Sequence, residues 1–161
     1  MVIVEKADPA ALKQVLDEYD ASEPIVMTVP VDGRGRYTRR ALLEYLNTLG
    51  HLRTFKFVVF LDGDGAFVGY APNWLVRGFL ERRGLAEEFV RTLNSGRTKS
   101  LRTYPGIVTE AITTSHTNAH ALREMDRLNL EALVVVNDEK RVAGIVERDQ
   151  VLSKMLLALA P

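Results

Sequence analysis

The chain has 161 residues, 47% of them hydrophobic and 26% charged, a globular composition with length for one sizeable core or two of about 60 to 75 residues each. No apolar stretch approaches the roughly 20 residues needed to cross a bilayer, and the absence of cysteine removes disulfides, thiolate metal sites and cysteine nucleophiles together. Twenty-one Lys and Arg balance twenty-one Asp and Glu, so no global field draws the protein toward nucleic acid or acidic lipid, and an anionic ligand must be held by local geometry.

The opening Met-Val-Ile-Val-Glu-Lys carries neither a basic start, an apolar run nor a cleavage site, so a cytoplasmic protein is expected. Asp8-Pro9 begins a predicted N-terminal helix whose apolar face is Leu12, Val15, Leu16 and Tyr19. A second helix is predicted after Thr38, with Ala41, Leu42, Tyr45, Leu46 and Leu49 at helical spacing and Gly50 as its stop. Phe57-Val-Val-Phe-Leu, the turn Asp62-Gly-Asp-Gly65 and Phe67-Val-Gly69 read as a hairpin. A helix with Leu75, Phe79 and Leu80 follows, and there Trp74 is expected in the core. Leu85 to Leu93 reads as a further helix, ending near Asn94-Ser95-Gly96 and passing into a basic stretch with Arg97, Lys99 and Arg102 that Pro105-Gly106 closes.

The chain then repeats itself. Ala132-Leu-Val-Val-Val-Asn-Asp-Glu-Lys-Arg-Val-Ala-Gly144 aligns without a gap to Phe57 through Gly69, 75 residues earlier. A helix precedes this copy too, capped by Thr117 or Asn118 and striped by Ala121, Leu122, Met125 and Leu128. Its offset from the earlier helix is 80, which puts about five extra residues around Gly50 to Thr54. Each unit reads strand, helix, strand, strand, helix.

The second unit resembles a CBS domain, a small βαββα module that occurs in pairs. The likeness rests on Val108-Thr-Glu-Ala-Ile-Thr-Thr114 as leading strand, Ala121-Leu122 with Met125 in the first helix, Leu133-Val-Val-Val-Asn-Asp138 as central strand and turn, and Gly144-Ile-Val-Glu-Arg-Asp149 as the Gly-h-h-Thr/Ser-x-x-Asp signature. The first unit resembles it more weakly, through Met27-Thr28 and Gly69-Tyr-Ala-Pro-Asn-Trp74. The resemblance implies an α+β fold: tandem βαββα repeats, a CBS domain pair standing alone, packed sheet to sheet with pseudo-two-fold symmetry, plus the N-terminal helix. The expected boundaries are 1–22 for that helix, 23–82 and 105–161 for the repeats, and 83–104 for a linker helix and basic loop.

In this family the clefts between repeats hold adenosine-containing ligands such as AMP, ADP, ATP or S-adenosylmethionine, and no other cofactor is required. The resemblance assigns Asp149 to the ribose hydroxyls, since a carboxylate offers two acceptor oxygens to two vicinal donors. Capping of the last helix is the alternative, compatible role. The hydroxyl residue that often touches phosphate is replaced by Glu147, beside Arg148. A carboxylate facing phosphate favours an adenosyl ligand with little phosphate, or a nucleotide carried with Mg2+, unless Glu147 turns to solvent and pairs with Arg148 or Lys140. The adenine pocket is expected from Ile112, Thr113 and Thr114, then Leu130, Glu131 and Ala132. In the first unit Trp74 replaces the ribose acceptor and Pro72 stands at the Glu147 position, while Phe55, Lys56 and Phe57 are bulkier. At most one working site per chain is therefore expected, with Lys56 as a positive charge offered to it from the other repeat.

Other signals carry less. His116 and His120 are four apart, as zinc ligands can be, but the metalloprotease glutamate is missing and surface histidines are expected. Asp62-Gly-Asp-Gly65 lacks the downstream glutamate of a calcium loop. Arg34, Arg36, Arg39 and Arg40 form a basic cluster that reads as solvated loop or ligand rim, and nucleic acid is not expected as a partner. Ser115, His116 and Asp149 lack a nucleophile elbow, so no enzyme is expected. The sequence thus points to a regulatory module that senses an adenosyl ligand and passes occupancy to a homodimer or protein-partner surface, with no membrane involved. The alternative is a structural or protein-interaction scaffold whose nucleotide site has degenerated.

Overall fold

The computed structural model describes residues 26–51 and 55–159; the expected N-terminal helix and most of the five-residue excess lie outside them. The described chain forms two compact units that divide between Thr109 and Glu110. Among the described residues the first contains β1 (Val26–Val31), α1 (Arg39–Leu49), β2 (Phe57–Asp62), β3 (Phe67–Pro72), α2 (Asn73–Glu81), α3 (Arg83–Asn94) and α4 (Thr98–Arg102). The second contains β4 (Ala111–Thr113), α5 (Asn118–Leu128), β5 (Ala132–Val136), β6 (Val142–Glu147) and α6 (Arg148–Leu159).

Each unit carries a three-stranded sheet, β1-β2-β3 or β4-β5-β6, in which the first pair is parallel and the second antiparallel. The middle strands are runs of β-branched and aromatic residues buried on both faces, as a strand covered by helices requires. The helices preceding them start alike: Thr38 Oγ1 accepts the Ala41 amide at 3.1 Å and Thr117 Oγ1 the His120 amide at 3.1 Å, each satisfying an amide that would otherwise lack a partner.

The repeat seen in the sequence holds at the level of single bonds. Asp62 Oδ1 accepts from the amides of Asp64 and Ala66 at 2.9 Å each. Asn137 Oδ1 accepts from those of Glu139 and Arg141 at 2.9 and 3.0 Å. In both hairpins the ladder slips at the same place, between Phe60 and Leu61 and between Val135 and Val136. The amide opening the next helix bonds the same carbonyl in each copy, Asn73 to Lys56 at 2.8 Å and Arg148 to Glu131 at 2.7 Å.

Two boundaries differ from the sequence expectation. Residues 83–104 are no linker: Phe89, Leu93 and Leu101 are buried in the first unit's core, and the rings of Phe79, Phe89 and Tyr104 meet with centroids 5.2 to 5.5 Å apart. An amphipathic helix this apolar on one face gains more by covering the first sheet than by spanning solvent. The second unit also starts later than residue 105. Val108 exchanges both backbone hydrogen bonds with Tyr70, at 2.8 and 2.9 Å, and only Ala111–Thr113 of the expected leading strand joins the second sheet. Gly69 permits this pairing, because a Cβ there would sit 2.8 Å from Ile107 Cγ2.

Candidate ligand site

Five of the nine sequence-predicted residues of the second unit, Glu131, Ala132, Glu147, Arg148 and Asp149, collect where β5 begins, β6 ends and α6 starts. Ala132 pairs with Glu147 across the ladder, the Arg148 amide bonds the Glu131 carbonyl, and Asp149 lies in the first turn of α6. Asp149 is exposed and its carboxylate makes no hydrogen bond or ion pair among the described residues, so the capping role is not taken up.

Arg148 behaves differently from an open ligand contact. Its Nη2 lies 2.6 Å from Asp126 Oδ1 and 3.4 Å from the Leu130 carbonyl, and its Nε 3.6 Å from Glu131 Oε2. The guanidinium thus clamps the end of α5 and the start of β5 to the start of α6, and the hydrogen bond to Asp126 is the main cause of its raised pKa. Asp126 was not foreseen in this role. Twenty-two residues of sequence separate the pair, and a long-range ion pair leaves no local pattern to read. Three carboxylates, those of Asp126, Glu131 and Asp149, therefore lie about the Arg148 guanidinium, which two of them already engage.

The remaining predicted residues are placed otherwise. Leu130 is half-buried against the core, while Ile112, like Ala132, is buried, its side chain inside the second core cluster. They can offer a ligand backbone but little side chain. Thr113 pairs with Val136, and the Thr114 amide bonds the Val136 carbonyl at 3.3 Å. Both threonines thus stand at the far end of β5 from Glu131, about 16 Å along the strand. Lys56 belongs to the first unit, where its carbonyl receives the Asn73 amide.

Beside Thr113, His116 Nδ1 accepts the Thr113 amide at 2.9 Å, and its ring stacks on His120 at 4.1 Å. Both rings are half-buried. Desolvation, then the neighbouring His120, hold the His116 pKa below its ordinary value. Among the described residues no three histidine or carboxylate groups are placed to hold a metal ion. In the first unit Trp74, expected in the core, is 69% exposed. Val76, Phe79 and Leu80 fill the buried face of α2, leaving residue 74 on the other side. The basic loop is partly neutralised by its own Asp32, which pairs with Arg34 at 3.7 Å and with Arg36.

No protein-family model matches the sequence, and no curated protein matches it. Solved structures do. CBSX2 in complex with AMP aligns at a TM-score of 0.52 and 17% identity, over 91% of this chain and 98% of that one. The cystathionine beta-synthase pair domain of a putative Mg2+ transporter from Shewanella oneidensis MR-1 aligns at 0.53 and 11%, over 91% and 77%. The fold is that of a CBS domain pair. The cytosolic domain of the Mg2+ channel MgtE in complex with ATP aligns at 0.51 and 20%, over 87% of this chain and 51% of that one. Asp149 and Trp74 hold matching places in the two repeats, each one residue after the amide that bonds the Glu131 or Lys56 carbonyl. No helix among the described residues is long and apolar enough to cross a membrane.

Proposed function

We propose that the second repeat binds an adenosyl ligand whose other end is neutral or cationic, of the S-adenosylmethionine or methylthioadenosine kind, and that the pair serves as a sensor of that ligand. The observation that carries this reading is the acidic cluster. Asp149 keeps two unengaged oxygens for a ribose, while the one guanidinium nearby is already held by Asp126 and Glu131. A phosphate brought there meets carboxylates and a guanidinium that is already paired, at a cost of about 1 kcal/mol per pair of like charges at 4 Å in water and more where water is excluded. A sulfonium meets attraction in the same field. That CBSX2 is seen with AMP and MgtE with ATP supports the adenosine half of the reading. The phosphate half would require Mg2+ here.

The test is calorimetry with S-adenosylmethionine, methylthioadenosine, AMP, ADP and ATP, the nucleotides with and without Mg2+. The first two should bind more tightly than metal-free AMP, ADP or ATP. Asp149→Asn should weaken binding by about tenfold or more, the loss expected for charge-assisted hydrogen bonds, with an unchanged melting temperature. Tighter binding of metal-free ATP would overturn the charge reading. Silence across the panel would overturn the sensor and leave the scaffold reading, in which the fold serves a homodimer or protein partner.

A further inference from the structure

The protein's one tryptophan lies at the edge of a groove in the first unit that the adenosyl reading does not use. Leu75, Phe79, Leu85 and Pro105 form its apolar lining, Trp74 and Arg82 complete it, and its volume is about 360 Å3. That size falls within the range of small-molecule sites. Trp74 and Arg82 stand eight residues apart along α2 and its C-terminal cap, about 12 Å along the helix axis.

Between them sits Gly78. A glycine in a helix interior weakens the helix, so its presence asks for a reason. Backbone conformation supplies none, since its φ is not positive, and neither does crowding, since a Cβ there would meet nothing within 4 Å. What the missing side chain leaves is room against the groove. Arg82, the one charged residue of the lining, is exposed, and its guanidinium makes no hydrogen bond or ion pair among the described residues.

We propose that this groove binds a planar aromatic anion, its rings against the Trp74 indole and over Gly78, its carboxylate, sulfonate or phosphate on the Arg82 guanidinium. An exposed indole offers stacking area, an apolar trough excludes water from the rings, and a planar guanidinium matches a planar or tetrahedral oxyanion through paired N–H donors. The charge preference is opposite to that of the acidic cluster, and no residue is shared with it.

The probe is 8-anilinonaphthalene-1-sulfonate, added to the full chain while Trp74 emission is followed. Saturable quenching of Trp74 with sensitised probe emission is expected. Gly78→Leu, which fills the trough with a better helix former, should weaken the probe by about tenfold or more while the melting temperature stays level or rises. Arg82→Gln should weaken it about fivefold, the scale of one partly exposed charge-assisted contact, and neutral N-phenyl-1-naphthylamine should bind the parent protein more weakly by a similar factor. Undiminished binding in Gly78→Leu, or equal binding of the neutral analogue, would overturn the proposal. So would Trp74 emission that shifts with protein concentration alone, because a second copy of the chain would then occupy the groove.

Discussion

At the scale of single residues, the clearest strain sits at Lys140. It occupies the left-handed region, φ 63°, where the first repeat has Gly65 at φ 84°. A side chain there costs about 1 kcal/mol that glycine avoids, and glycine gives back part of the gain through its unfolded-state freedom. Lys140→Gly should therefore stabilise the protein by about 0.5 kcal/mol, read as a raised urea midpoint at constant slope. Gly65→Lys should do the reverse. His116 sets a second expectation. Its folded pKa lies below the ordinary value near 6.5, first through desolvation and then through His120, with Glu124 opposing. The unfolded chain therefore takes up the proton first as pH falls. Stability from this group is complete above about pH 6.5 and is lost as pH drops toward the folded pKa. Protonation would also turn Nδ1 into a donor facing the Thr113 amide. Melting temperatures between pH 7.5 and 5 should fall more steeply for the parent than for His116→Gln; parallel curves would remove His116 from the pH response.

At the scale of elements, helices and hairpins were legible because their signals are local. Thr38, Thr117 and the 3.6-residue stripes after them mark helix starts, and the Asp62 and Asn137 turns mark hairpins. What α3 and α4 cover was not legible, since an apolar stripe specifies that a face is buried and says nothing about the surface that buries it. The structure assigns that face to the first sheet through Phe89 and its ring contacts with Phe60, Phe79 and Tyr104. Phe89→Ala should accordingly destabilise by about 3 to 5 kcal/mol, as for a fully buried core aromatic, measured by denaturant unfolding. A loss below 1 kcal/mol would return 83–104 to the status of linker. For the same local reason Asp149 could be placed at the head of a helix from sequence, whereas the Arg148–Asp126 pairing could not.

At the scale of the molecule, a net charge of zero hides an uneven distribution. Acidic groups gather at the start of α6, and Arg82 marks the groove along α2. The two repeats share topology, bulge and turn bonds, yet they differ at the residue proposed to meet a ribose: Asp149 in one, Trp74 in the other. An indole cannot accept two hydroxyl donors. Calorimetry should therefore return one adenosyl ligand per chain, and a stoichiometry of two would mean that the Trp74 repeat binds by another route.

The hairpin turns show how the two halves could drift apart while keeping one shape. In each, a single side-chain oxygen at the first position gathers two downstream amides, and of the positions between only the fourth, with its positive φ, favours a particular residue. Asp-Gly-Asp-Gly and Asn-Asp-Glu-Lys therefore spell the same turn, and only the oxygen of the first position gathers the amides in both. Divergence in such a segment is nearly silent to the fold, so the hairpin tips are where the two copies are freest to acquire separate surface identities without disturbing the framework that bears the ligand site.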